Sequence, residues 1–123
     1  MLGLERRVRK PSLLAFCGAL LAAAAVGLSA YAAHGVGDPL AQARLNTAAL
    51  YAFGHGAVLA VLGPASLNAI GRAALYVLLL GVLLFSGSVA GGVLAQWPTP
   101  LAPTGGTALM LGWVLLAISA VKR

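Results

Sequence analysis

The sequence predicts an all-α fold, an integral membrane four-helix bundle with both termini in the cytoplasm. Of the 123 residues, 61% are hydrophobic and 8% are charged, whereas an ordinary soluble domain carries roughly 25% charged residues. The apolar residues form four runs, each about as long as the roughly 20 residues that a helix needs to cross the hydrocarbon core. The basic residues flank these runs and, except for Arg44, occupy alternate gaps. Because cytoplasmic loops collect Lys and Arg, this pattern also orients the chain.

The first predicted span, 12–34, follows a basic cytoplasmic N-terminus at 1–11. That terminus holds four cations: Arg6, Arg7, Arg9 and Lys10. Pro11 suits the first turn of a helix, where its missing N–H costs nothing. A cleaved secretory signal is an alternative, since Ala30-Tyr31-Ala32 resembles a cleavage site. The apolar run is longer than the roughly 7–15 residues of a signal core, so we favour a retained span.

The other three spans are predicted at 46–64, 73–95 and 104–121, within a single transmembrane domain at 12–121. A turn signal follows the second span: Pro64, Ser66, Asn68 and Gly71. Three prolines separate the last two spans: Pro98, Pro100 and Pro103. Trp97 beside them is typical of a membrane-interface anchor. Residues 122–123 form a basic cytoplasmic C-terminus.

Small residues at four-residue spacing predict close helix packing, because association in lipid depends on near approach of backbones. The spaced sets are Ala19, Ala23 and Gly27; Ala52, Gly56 and Ala60; Gly87 and Gly91; and Ser88 and Gly92. Such spacing is common in membrane helices. We therefore favour packing within one bundle over a dedicated dimer face.

Polar residues gather toward the outer half of the predicted bundle and form a candidate cluster. Its members are Tyr31, His34, Thr47, Tyr51, His55, Ser86, Ser88 and Thr104. Thr47, Tyr51 and His55 share one helix face, and His55 lies about 12 Å deeper than Thr47. An ionisable residue at that depth is a functional hypothesis. We favour the structural alternative, in which a neutral imidazole bonds to a hydroxyl or carbonyl on a neighbouring helix.

Catalysis and cofactor binding are not expected from these residues. The chain has two acidic residues, Glu5 and Asp38, and the serines of the cluster lack a base with a third orienting group. Zinc needs about four ligands, and Cys17 lies toward the opposite leaflet from both histidines. We therefore predict a protein that is not an enzyme and has no metal or cofactor. The cations lie in flanking clusters, which excludes nucleic acid as a partner.

The sequence leaves two functions open. The favoured one is a noncatalytic structural or accessory subunit in contact with the lipid bilayer, with either a second copy or a membrane complex as its partner. The alternative is a small transporter, or a ligand- or cofactor-binding membrane protein, that uses the outer-half polar cluster. Small exporters usually couple protons through an embedded carboxylate, and neither acidic residue lies within a predicted span.

Five motifs in fixed order carry a family resemblance. They are Ala30-Tyr31-Ala32-Ala33-His34-Gly35; Thr47, Tyr51 and His55; Leu84-Phe85-Ser86-Gly87-Ser88; Pro103-Thr104-Gly105-Gly106; and Gly112-Trp113. Together they resemble domain-of-unknown-function family 423, small bacterial inner-membrane proteins related to transmembrane protein 256. The resemblance implies a four-helix, multi-pass protein of the bacterial cytoplasmic membrane and supplies no activity, substrate or cofactor.

Overall fold

The computed structural model describes residues 11–96, 98 and 101–122. Within this part the chain forms four α-helices and no strand: α1 (Leu13–Gly35), α2 (Pro39–Leu62), α3 (Ala69–Leu94) and α4 (Leu101–Ala120). Each helix is long and apolar enough to cross a membrane. The all-α, four-span prediction is therefore confirmed. The basic N-terminal cluster, Trp97 and Arg123 lie outside the described residues.

Three of the helices begin earlier than the predicted spans at 46, 73 and 104, and polar side chains cap the starts of α1, α2 and α3. The Asp38 carboxylate caps α2 by accepting from the Ala41 N–H at 2.9 Å, and Pro39 occupies the first turn. Ser12 and Asn68 cap α1 and α3 in the same way. Hydropathy marks only the apolar part of a helix, whereas a capped polar turn is also helical. The predicted starts were therefore three to seven residues late.

Helix α3 occupies the centre of the bundle. It packs against α4 along its length, against α2, and over a smaller area against α1, while α1 and α2 form an antiparallel pair. All four helices contribute to one apolar core: Leu14, Leu59, Leu75, Leu78, Val82 and Leu109. The short connections within each hairpin thus bring together residues that are distant in sequence.

Glycines determine how closely the paired helices approach. A Cβ added to Gly56 would lie 2.5 Å from the Gly18 carbonyl oxygen, and one added to Gly18 would lie 2.5 Å from the Gly56 carbonyl oxygen. Between α3 and α4, a Cβ on Gly105 would collide with the backbone of Phe85. Gly56 belongs to the predicted small-residue sets, whereas its partner Gly18 does not. The predicted set on α1, Ala19, Ala23 and Gly27, is exposed.

Candidate functional site

His55 forms two hydrogen bonds in the second half of α2. Its Nδ1 lies 2.8 Å from the Tyr51 carbonyl oxygen, one turn earlier in the helix, and its Nε2 lies 3.0 Å from Nε1 of Trp113 on α4. An indole N–H can only donate, so Nε2 must accept. The proton of the neutral ring then lies on Nδ1 and is donated to the carbonyl. The two contacts together fix one tautomer.

Aromatic rings surround this imidazole and connect three helices. Tyr51 stacks on His55 with ring centroids 5.9 Å apart and contacts the Phe85 ring of α3 at 4.7 Å. Trp113 lies across the imidazole at a centroid distance of 5.8 Å. Tyr51 and Trp113 are about 40% exposed. We refer to Tyr51, His55, Phe85 and Trp113 as the histidine–aromatic cluster, which faces outward from the bundle and links α2, α3 and α4.

Ser86 forms a separate polar contact. Its hydroxyl is buried and donates to the Ala48 carbonyl oxygen at 2.9 Å, joining α3 to α2. A serine hydroxyl in an apolar helix needs such an acceptor because lipid offers none. The contact therefore stabilises the α2–α3 interface.

The remaining residues of the predicted polar cluster are scattered. Thr47 donates to the Ala43 carbonyl of its own helix, and the Tyr31 ring lies over Gly35 at the end of α1. His34 and Thr104 are exposed, and Ser88 is half-buried. Within the described residues no hydrogen bond joins these five to His55. The structure thus brings together two members of the predicted set, Tyr51 and His55, and adds two aromatic residues to them.

Trp113 was missed as the partner of His55, although the sequence held a signal for it. Its N–H lies in an apolar span, where a lone donor needs an acceptor. Both residues lie nine positions from the predicted outer ends of their spans, at 104 and 46, which places them at similar depth. Matching donors to acceptors by depth therefore makes Trp113 one candidate partner of His55.

Asn68 forms a second polar site, which joins the start of α3 to the end of α4. The Asn68 side-chain oxygen accepts from the Gly71 N–H at 2.8 Å and from the Ser119 hydroxyl at 2.7 Å. Its amide nitrogen donates to the carbonyls of Ser119 and Lys122, at 3.1 and 3.3 Å. One side chain therefore caps the start of α3 and satisfies carbonyls at the end of α4, which a helix terminus otherwise leaves unpaired.

Comparison with known proteins agrees with the sequence resemblance. The family model "Protein of unknown function (DUF423)" matches residues 28–106. A UPF0382 membrane protein of Staphylococcus epidermidis is 34% identical over 114 residues, covering 85% of this chain and 92% of that protein. A UPF0382 membrane protein of Haemophilus influenzae is 38% identical over 108 residues, covering 79% of this chain and 84% of that protein.

No solved structure matches the chain. The family model covers more than half of its length, and both relatives are named as membrane proteins. Together with four helices that are each able to span a bilayer, these findings show a multi-pass membrane protein. The chain belongs to the DUF423 family of membrane proteins of unknown function.

Proposed function

We propose that this protein is a noncatalytic accessory subunit of a membrane complex. The observation that carries the proposal is the bonding of His55, whose two ring nitrogens are both engaged, one by the Tyr51 carbonyl and one by the Trp113 indole. A general base or a metal ligand needs a free nitrogen lone pair. His55 has given that lone pair to Trp113, so its role is to hold α2 against α4.

The other polar groups inside the bundle are also engaged in hydrogen bonds. In the part of the chain that the structure describes, no buried side-chain nitrogen or oxygen lacks a hydrogen-bond partner. Ser86 is bonded to Ala48 and Ser119 to Asn68, both across helix interfaces. These groups stabilise helix packing, which supports a structural role over a chemical one.

Helices α1 and α4, which lie on either side of the central pair α2 and α3, supply the surface that an accessory subunit needs. In α1 the buried residues are Leu14, Gly18, Ala25 and Ala32. In α4 they are Gly105, Leu109, Gly112 and Ser119. The remaining faces carry exposed apolar side chains such as Val26 and Met110, which can pack against lipid or against a partner's helices. We assign the partner contact to these two faces, in the cytoplasmic membrane of a bacterium.

Photocrosslinking in the native membrane tests the accessory role. A photoreactive amino acid would replace Val26 of α1 or Met110 of α4 in the full chain, with Leu80 as the matched exposed position on the central helix α3. We expect a discrete adduct with a second protein from at least one outer-helix position. The Leu80 probe should give lipid adducts alone, because the proposal assigns the partner contact to α1 and α4.

Two results would contradict the accessory role. Lipid adducts alone at all three positions would leave the bundle without a protein partner. An adduct of two copies of this chain would show self-assembly instead. A native mass spectrum of the gently extracted protein gives an independent answer, since an accessory subunit should retain a stoichiometric partner of different mass.

A further inference from the structure

The bundle consists of two closely packed helix pairs that meet along one interface. In the first pair, Gly18 of α1 and Gly56 of α2 bring the backbones together. In the second, Gly81 of α3 and Gly105 of α4 do the same. Between the pairs, α2 packs on α3, and α1 contacts α3 over a small area. Among the described residues, no Cα atom of α2 lies within 8 Å of one of α4. The α2–α3 interface is therefore the main connection between the pairs.

Helices α1 and α4 lie on opposite sides of the α2–α3 interface. On α2, the Ala48 carbonyl accepts from Ser86 of α3. Gly56, which contacts α1, is rotated from Ala48 by about 80° in one direction around the helix. His55, which bonds to α4, and Tyr51 are rotated from Ala48 by about 20° and 60° in the other direction. A rotation of the pairs about this interface therefore brings one outer helix closer and moves the other away.

On the α1 side, a groove separates the two pairs. It encloses about 200 Å³ and is open on one side. Small residues from both helices line it, including Ala24 and Ala25 of α1 and Gly87 of α3. A Cβ at Gly87 would meet no atom within 4 Å. The groove thus leaves room for α1 to move toward α3, which would add dispersion contacts between the helices.

On the α4 side, the Trp113–His55 hydrogen bond joins the two pairs. It links Nε1 to Nε2 at 3.0 Å between helices whose backbones are not in contact. If the pairs rotate so that the groove closes, α4 moves away from α2. A side-chain hydrogen bond is lost once its donor and acceptor are about 3.6 Å apart. The intact bond therefore opposes closure of the groove on the other side of the interface.

We propose that the Trp113–His55 hydrogen bond is a latch that holds the α1–α3 groove open. When the bond breaks, the α1–α2 and α3–α4 pairs rotate as rigid bodies about the α2–α3 interface, and α1 closes on α3. Packed helix pairs can move in this way because each keeps its internal contacts while a smaller interface adjusts. The proposal rests on this bond and on the packing of the helices, and it applies with or without a protein partner.

Disulfide formation across the groove measures its closure. Ala24→Cys and Gly87→Cys place one thiol on each wall, in a Cys17→Ala background. A disulfide requires Cβ atoms about 3.8 Å apart, and no atom lies within 4 Å of the Cβ position at Gly87. The disulfide should therefore form only when the groove closes. The full chain in phospholipid vesicles is treated with a membrane-permeant oxidant, and the rate of intrachain disulfide formation is followed by gel mobility.

Trp113→Phe removes the indole N–H and keeps an aromatic ring. We expect it to raise the rate about fivefold, since losing one hydrogen bond of ordinary net strength shifts a two-state equilibrium by about that factor. Tyr51→Phe is the matched control within the histidine–aromatic cluster. It retains the Trp113–His55 bond and should leave the rate unchanged. Asn68→Ala removes contacts between α3 and α4 at a different place, and it should also leave the rate unchanged.

Combining His55→Leu with Trp113→Phe removes both partners of the latch, so that no polar group of the pair is left without a partner. We expect the same fivefold increase. This double variant replaces Trp113→Phe if circular dichroism shows that the single variant does not fold. Three outcomes would overturn the proposal: equal rates with and without the latch, an equal increase caused by Asn68→Ala, or disulfides that form only between two copies of the chain.

Discussion

At the scale of single residues, the Trp113–His55 hydrogen bond gives a partner to a polar side chain inside an apolar bundle. An imidazole nitrogen without a partner is costly there because lipid offers no hydrogen bonds. The indole N–H donates to Nε2, and the Tyr51 carbonyl accepts from Nδ1. A neutral ring with both nitrogens satisfied can lie among apolar side chains at little cost.

Replacing Trp113 by phenylalanine should therefore destabilise the bundle by about 1 kcal/mol, because it leaves Nε2 of His55 without a donor. Tyr51→Phe is the matched control. It keeps the aromatic ring and the backbone carbonyl that accepts from His55, so we expect a change within about 0.5 kcal/mol. The measurement is the midpoint of unfolding in detergent. Equal effects of the two substitutions would show that the indole hydrogen bond contributes nothing.

Asn68 illustrates how one amide can serve two helix ends. Asn68→Ala should cost about 1–2 kcal/mol of unfolding free energy, because it removes the cap of α3 and the contacts to the end of α4. Asn68→Asp keeps an oxygen for the Gly71 N–H and loses the donor to the Ser119 carbonyl. We expect it to be intermediate in a denaturant titration. Asn46→Ala, at an exposed position of α2, should have little effect.

At the scale of the helix, packing depends on where a side chain is absent. Gly18 and Gly56 let α1 and α2 meet backbone to backbone, so dispersion contacts replace the hydrophobic force that lipid does not supply. Gly54, two residues from Gly56, has open space around its Cβ position. Neighbouring glycines of one helix thus differ completely in their importance, according to the face on which they lie.

Gly56→Ala should consequently destabilise the α1–α2 pair by about 1–3 kcal/mol, since its new Cβ would overlap the Gly18 carbonyl and force the helices apart. Gly54→Ala carries the same chemical change without a collision, and the higher helix propensity of alanine should leave stability unchanged or slightly improved. Thermal unfolding of both variants in one detergent gives the comparison. Equal midpoints would mean that the close approach of the two helices is not important for stability.

At the scale of the whole molecule, the sequence predicted the fold better than the candidate site. Four apolar runs were enough for four helices, since a span is defined by length and hydropathy alone. The contacts of the polar cluster were harder to predict, because the depth of a residue in the membrane does not tell which helices face each other. Thr47 and His34 lie at the predicted end of the bundle, yet in the described part of the chain neither forms a hydrogen bond with His55. Trp113 of α4 bonds to His55, and Phe85 of α3 contacts Tyr51. Contacts between distant helices leave no periodic trace in sequence.

The orientation of the molecule is a prediction of its charge pattern and can be tested by cysteine labelling. In a Cys17→Ala background, Gly37→Cys and Pro98→Cys place thiols in the α1–α2 and α3–α4 connections, and Ser66→Cys places one in the α2–α3 connection; all three positions are exposed. Because Arg72 and the terminal cations should stay in the cytoplasm, an impermeant maleimide should label the first two in intact cells and Ser66→Cys only after lysis. The opposite pattern, or a mature chain that starts at Ala33, would refute this topology.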